Sequence, residues 1–240
     1  MGSVVEYLAT PEMMALFLGD PTAFVRNGGS IGLANNEPDH SIWVKFARAM
    51  GPSRVSLATK IASELATLSP RKVLDVAAGH GMFGIAIARA VADAQITAVD
   101  WDGVLSVARE NAAAAGVSAR YTTLAGSAFD TDWGSEFDLV LLANFLHQLD
   151  QDGCVTLLRK ARESLVSGGR AVAIEFLLNE DRVSPRFSAM FAFQMLGSTP
   201  QGEAYTARQF EDMGRAAGFT TVITKPLPPT PQSLILFEQV

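Results

Sequence analysis

Lys72-Val-Leu-Asp-Val-Ala-Ala-Gly-His-Gly-Met-Phe-Gly84, followed by Ile96-Thr-Ala-Val-Asp100, decides the fold of this chain. The apolar run Val73 to Val76 predicts a buried strand. Gly79 and Gly81 predict a tight turn that opens a helix over 82–92. A second apolar strand, over 95–99, ends on an acid, Asp100. Glycines let the main chain approach a ligand, and an acid at the end of the next strand can grip a ribose diol. Together these features read as one half of a nucleotide-cofactor site.

Gly79-x-Gly81-x-x-Gly84 also spells the dinucleotide fingerprint, so the nucleotide must be argued from its neighbours. Asp75 lies inside the strand, near where a pyrophosphate would sit. An anion there repels a diphosphate by about 1 kcal/mol in water-like surroundings and by about 4 kcal/mol when partly buried. The same carboxylate attracts an ammonium or another cation. S-adenosylmethionine carries both, together with an adenosine whose diol Asp100 can bind. An NAD-dependent oxidoreductase is the rival that the glycines alone permit.

The chain has 240 residues and 48% hydrophobic content, enough for one sizeable core. Its 19 basic and 25 acidic residues give a net charge of −6 with no dense basic run. That balance argues against non-specific binding to nucleic acid or anionic membranes. No stretch reads as a membrane span or a secretory signal. A single cysteine, Cys154, fits a reducing cytoplasm. His40, His80 and His147 are too dispersed for a zinc site, so no metal is expected.

Residues 5–17 predict a short amphipathic helix; 27–30 and 35–38 are turn chemistry. Ile42, Trp43, Phe46, Ala49 and Met50 share one helical face, with Ser41 as the cap and Gly51-Pro52 as the break. A second helix is expected over 55–68. Strands are then expected at 72–76, 95–99, 119–123, 137–142 and 169–176, and helices at 82–92, 103–115, 152–166, 185–197 and 207–217. Such alternation predicts an α/β fold, a doubly wound, mostly parallel sheet covered on both faces. The last two apolar runs, 219–224 and 233–239, are joined by a Pro-rich link and predict an antiparallel hairpin at the sheet edge.

Six motifs in order resemble class I S-adenosylmethionine-dependent methyltransferases, specifically the catalytic domain of the plant and bacterial small-molecule O-methyltransferases. They are Val73-Leu-Asp-Val-Ala-Ala-Gly-His-Gly81, Val99-Asp-Trp-Asp-Gly-Val-Leu105, Gly126-Ser-Ala-Phe129, Asn144-Phe-Leu-His-Gln148, Ser167-Gly-Gly169 and Thr199-Pro-Gln-Gly-Glu-Ala-Tyr-Thr206. The resemblance runs from about Ser41 to Val240. It implies a Rossmann-like, seven-stranded sheet with a reversed C-terminal hairpin, and S-adenosyl-L-methionine as cofactor, leaving S-adenosyl-L-homocysteine. It implies a methyltransferase of class EC 2.1.1 acting on the hydroxyl of a small aromatic or polyketide-like molecule. C-methylation and non-methylating relatives stay open. The resemblance also implies an N-terminal winged-helix dimerisation domain, for which residues 1–40 are expected to hold no counterpart. Residues 1–40 read as a remnant of the inter-domain segment and 41–240 as the catalytic domain. The family is usually homodimeric; this chain is expected to be monomeric or weakly associated.

By the same resemblance the cofactor is held by Asp75, Gly79, Gly81, Asp100, Trp101, Gly126, Ser127, Ala128, Phe129 and Asn144. Many relatives have an acid at the Ser127 position. His147, in the loop after the fourth strand, is the base that takes the hydroxyl proton. Many relatives read His-Asp or His-His here, where this chain reads His147-Gln148. Glu175 orients that histidine, and Glu203 matches a second acid in a register that also admits Ala204. Met190, Phe193, Gln194 and Gly197 are assigned to a substrate wall. His80 is read as structural.

Overall fold

In the computed structural model, which describes residues 9–11, 14, 20–30 and 40–239, Lys72–Val76 forms strand β1 and its last four residues are buried. Burial on both faces is what a central strand covered on two sides requires. The other strands are β2 (Gln95–Asp100), β3 (Tyr121–Ala125), β4 (Phe137–Ala143), β5 (Leu165–Glu175), β6 (Thr221–Pro226) and β7 (Ser233–Glu238). They form one seven-stranded sheet in the order β3-β2-β1-β4-β5-β7-β6. The first five pair in parallel, while β7 is antiparallel to both β5 and β6. The expected reversed hairpin is therefore present.

Helices α2 (Ser41–Leu65), α3 (Met82–Ala90), α4 (Asp102–Ala114), α5 (Gln151–Ser164) and α7 (Ala207–Ala216) cover the sheet, while α1 (Pro21–Asn27) and α6 (Arg186–Ser198) pack on each other. The period-2 alternation of β4 shows how both faces fill. Leu139 and Leu141 join a core with Leu57 and Ile61 of α2, Phe83 and Ile87 of α3 and Leu105 of α4. Val140 and Leu142 join the opposite core, with Leu157 and Leu158 of α5 and Phe210 and Met213 of α7. Among the described residues no helix is long and apolar enough to cross a membrane.

Three local expectations need correction. Gly51-Pro52 does not break the helix, because α2 runs 25 residues straight through Pro52. A proline forfeits one helical bond, but Pro52 is exposed, while Ala47, Ala49 and Gly51 before it and Leu57, Ala58 and Ile61 after it are buried. Tertiary packing on both flanks overrides the local penalty. The cap of α2 is His40, not Ser41, and its ring accepts from the Ile42 N–H at 3.2 Å. Helix α1 was not expected; Asp20 caps it, Gly28 ends it at φ +74°, and Phe24 packs edge-on to Phe193. The helix over 5–17 falls mostly outside the described residues, and the loop over 35–38 does so entirely.

Candidate active site

All five parallel strands end at one edge of the sheet, where open α/β folds bind ligands. A cavity of about 740 Å³ lies there, walled by the loops after β1 to β5 and by faces of α2 and α6.

The loop after β1 holds Ala77, Gly79 and Gly81 at φ +53°, +58° and +75°. The two glycines do different work. A side chain at Gly79 would meet nothing nearer than 3.9 Å, and Gly79 lines the cavity. A Cβ at Gly81 would lie 2.6 Å from the Tyr121 hydroxyl and 3.0 Å from the Ala108 Cβ. Gly81 thus permits close packing of the turn and, contrary to expectation, does not line the cavity. Gly79 donates its N–H to Asp100 Oδ2 at 2.8 Å, and Asp100 Oδ1 accepts from the Trp101 N–H at 2.7 Å. Asp100 therefore ties the end of β2 to the glycine loop.

Asp75 is 1% exposed yet touches the cavity, and its Oδ2 accepts the Gly84 N–H at 3.0 Å. Burial pushes its carboxyl up to about 7; the Asp100 charge adds to the rise and the Gly84 bond opposes it. His80 is held neutral, its imidazole lowered to about 4 by burial and by nearby Arg54. Its ring accepts from the Met82 N–H and its carbonyl from Asn111, which ties His80 into the loop, and the residue also lines the cavity.

Sequence reasoning missed Arg54. It is half-buried on the cavity wall, makes no hydrogen bond or ion pair among the described residues, and burial lowers its guanidinium. Trp43, Phe46, Met50 and Arg54 follow each other at helical spacing along α2 and all line the cavity. The signal was a charge continuing an apolar stripe, and the supposed break at Pro52 hid it.

Trp101, Gly126, Ser127, Ala128 and Phe129 all line the same cavity, beyond Asp100. Asn144 lines it too, at φ +56°, and its Oδ1 accepts from buried Gln232 of the β6–β7 link. That bond leaves the Asn144 amide donors for another partner. Gln232 gave no sign in the sequence, because the contact closes across 88 positions.

The geometry is sharpest at His147. Its Nδ1 lies 2.6 Å from Glu175 Oε2, and both residues are buried. Glu175 Oε1 accepts the Phe145 and Leu146 N–H groups at 3.0 and 2.9 Å. A carboxylate so placed accepts from Nδ1, which leaves Nε2 as the acceptor nitrogen of the neutral ring. The ring stands edge-on to Phe191 at 4.8 Å. Glu203 is placed differently: its N–H donates to the His147 carbonyl at 2.9 Å, while its carboxylate pairs with Arg182 and lies outside the cavity lining. The structure thus gives Glu203 a backbone role beside His147, not a side-chain one.

The expected substrate wall is offset by about one residue. Gln194 lines the cavity, but Met190 is 63% exposed, Phe193 is 52% exposed and packs on Phe24, and Gly197 is buried without reaching the lining. Phe187, Phe191, Met195 and Ser198 face inward instead, joined by Phe176 after β5. Phe176 packs on Phe187 and Phe191 at 5.2 and 4.3 Å between ring centres.

The chain is similar to known proteins. The chain is 32% identical over 167 residues to 3-hydroxy-5-methyl-1-naphthoate 3-O-methyltransferase of Streptomyces sahachiroi, covering 70% of this chain and 48% of that one. The chain thus spans about half the length of that relative. A presumed O-methyltransferase from Nostoc punctiforme superposes with a TM-score of 0.95 at 43% identity, over 98% of this chain and 72% of that one. Human N-acetylserotonin methyltransferase, solved with S-adenosylmethionine, shares the fold at a TM-score of 0.83 and 21% identity, over 98% and 69% of the two chains. The O-methyltransferase domain model matches residues 20–220, and the chain belongs to that family.

Proposed function

We propose that the cavity binds S-adenosylmethionine beside a small, flat, hydroxylated aromatic molecule and that the chain catalyses methyl transfer to the hydroxyl oxygen. The observation that carries this reading is that the His147–Glu175 pair opens onto the same cavity as Asp75 and Asp100. The residues fit the cofactor on five counts. Asp100 offers a carboxylate to the ribose diol, and Trp101 offers a ring face to adenine. Open space at Gly79 admits the methionine portion. Asp75 answers the ammonium, and Arg54, a half-buried cation that makes no ion pair among the described residues, answers the carboxylate. A dinucleotide would instead bring its diphosphate against buried Asp75.

Bound S-adenosylmethionine supplies an electrophilic methyl group on a positively charged sulfur. With both ligands bound, Nε2 of His147 would accept the acceptor's hydroxyl proton as the oxygen takes the methyl group and the sulfonium leaves as the neutral thioether. Glu175 then faces an imidazolium and stabilises it while holding the ring in place. Phe176, Phe187, Phe191 and Met195 offer an apolar bed that would exclude water and position a flat acceptor beside His147. The bed carries no charged side chain, which favours an acceptor that is neutral apart from the hydroxyl it loses. The naphthoate in the name of the Streptomyces relative matches in its flat bicyclic shape, though it also carries a carboxylate. We assign this activity to 41–240, with α1 packed as a strap against α6.

The test is product analysis. The purified chain, with methyl-labelled S-adenosylmethionine and a panel of naphthols and other phenols, is expected to yield O-methyl ethers by mass spectrometry. Label on carbon, or no turnover of any phenol by a chain that binds S-adenosylhomocysteine, would overturn O-methylation.

A further inference from the structure

The turn after β3 shapes the adenosine end of the cavity, and one side chain outside the cavity holds it. Residues 126–130 of this turn line the cavity. Ser127 Oγ accepts the Phe129 N–H at 3.1 Å, and Ser127 O accepts the Thr131 N–H at 3.0 Å. The carbonyls of Ala128, Phe129 and Thr131 all converge on Lys160 Nζ of α5, at 3.0, 2.7 and 2.7 Å. An ammonium has three N–H donors, so one cation satisfies all three carbonyls and has no donor left over. Lys160 also sits 4.3 Å from the ring centre of buried Trp133, which adds a cation–π attraction. Without the cation, three carbonyl oxygens would point their negative ends at one spot.

We propose that Lys160 is a positioning residue for nucleoside recognition: its ammonium fixes the 126–131 turn in the shape that accepts the adenine end of the cofactor. This rests on the reading of the cavity as an S-adenosylmethionine site. The role belongs to binding, not to chemistry, because Lys160 touches neither the cavity nor His147.

Lys160→Met keeps the stem length and removes the charge. By calorimetry its S-adenosylhomocysteine affinity is expected to fall roughly ten- to a hundredfold, the range for lost hydrogen bonds to a charged group. Adenosine affinity should fall in parallel. At saturating S-adenosylmethionine, kcat and the acceptor KM should stay near wild type, the pattern of lost uniform binding. Lys160→Arg keeps the charge and the stacking, but a planar fork does not aim three donors at one point. Its affinity should lie between wild type and Lys160→Met, which keeps the test open if the methionine variant does not fold. Wild-type S-adenosylhomocysteine affinity in Lys160→Met would overturn the proposal, as would equal losses in kcat and acceptor KM. Failure of the unmodified chain to bind S-adenosylhomocysteine would instead remove the cofactor reading itself, and this proposal with it.

Discussion

At the scale of single residues, two carboxylates of the site are held in opposite ways. Glu175 accepts three hydrogen bonds and serves a histidine, whereas Asp75 accepts one and is buried beside a second acid. His147→Ala should therefore leave S-adenosylhomocysteine affinity within about 0.5 kcal/mol and lower kcat by roughly 10²–10⁴, the range for a positioned general base. Glu175→Gln should lose less, because the ring remains and only its orientation loosens. Turnover of a phenol by His147→Ala at the wild-type rate would leave no role for the base. Asp75 gives a pH signature. Its carboxyl is raised to about 7, so ionising it opposes the fold: its contribution is full below the ordinary carboxylate range and is lost as pH rises through about 7. The cofactor's ammonium favours the ionised form. Binding below pH 7 should then release a proton, and affinity should climb with pH and level off near 7. Calorimetry in buffers of different ionisation enthalpy measures this directly, and Asp75→Asn should abolish it.

Elements show where packing overrides local rules. Gly81 and Gly116 have nearly equal φ, +75° and +71°, but a Cβ at Gly116 meets open space while one at Gly81 meets Tyr121 and Ala108. Gly116→Ala should cost about 1–2 kcal/mol, the left-handed penalty alone. Gly81→Ala should cost more, about 3–5 kcal/mol, since overpacking adds to it. Denaturant melts of the two variants separate the terms; equal losses would mean that the tight contact at Gly81 relaxes freely. The same contrast explains what was legible in the chain. β1 and its glycine turn were readable because strand period, turn chemistry and the acid at Asp100 agree locally. Asp75 and Asp100 could be read from the glycine turn and the strand that follows it, whereas Ser127 and His147 were assigned through the family resemblance. The cavity face of α6 was not readable: this helix is nearly apolar all round, so periodicity does not choose between Met190 and Phe191. Arg54 and Gln232 were missed because their placement depends on contacts remote in sequence.

Across the whole molecule, the cavity draws its walls from five strand ends and two helices, so no single element owns it. A ligand that fills it joins the glycine loop, the β3 turn and the His147 loop, and must stabilise the domain as a unit. At a hundredfold excess over its dissociation constant, S-adenosylhomocysteine should add about 2.7 kcal/mol. For a domain of this size that corresponds to a rise of about 5–10 °C in Tm. NADH tests the alternative that the glycine fingerprint alone permits. Its diphosphate would meet Asp75, whose pKa near 7 leaves it partly ionised at neutral pH, so NADH should give little or no shift. Asp100→Ala should reduce the S-adenosylhomocysteine shift by weakening binding about 1–3 kcal/mol. Asp100 also accepts the Gly79 N–H, so the unliganded variant should melt slightly earlier as well. Comparing the liganded and unliganded melts separates the two contributions. A loss confined to the unliganded protein would make Asp100 only a tie between β2 and the glycine loop, and the ribose diol would need another partner.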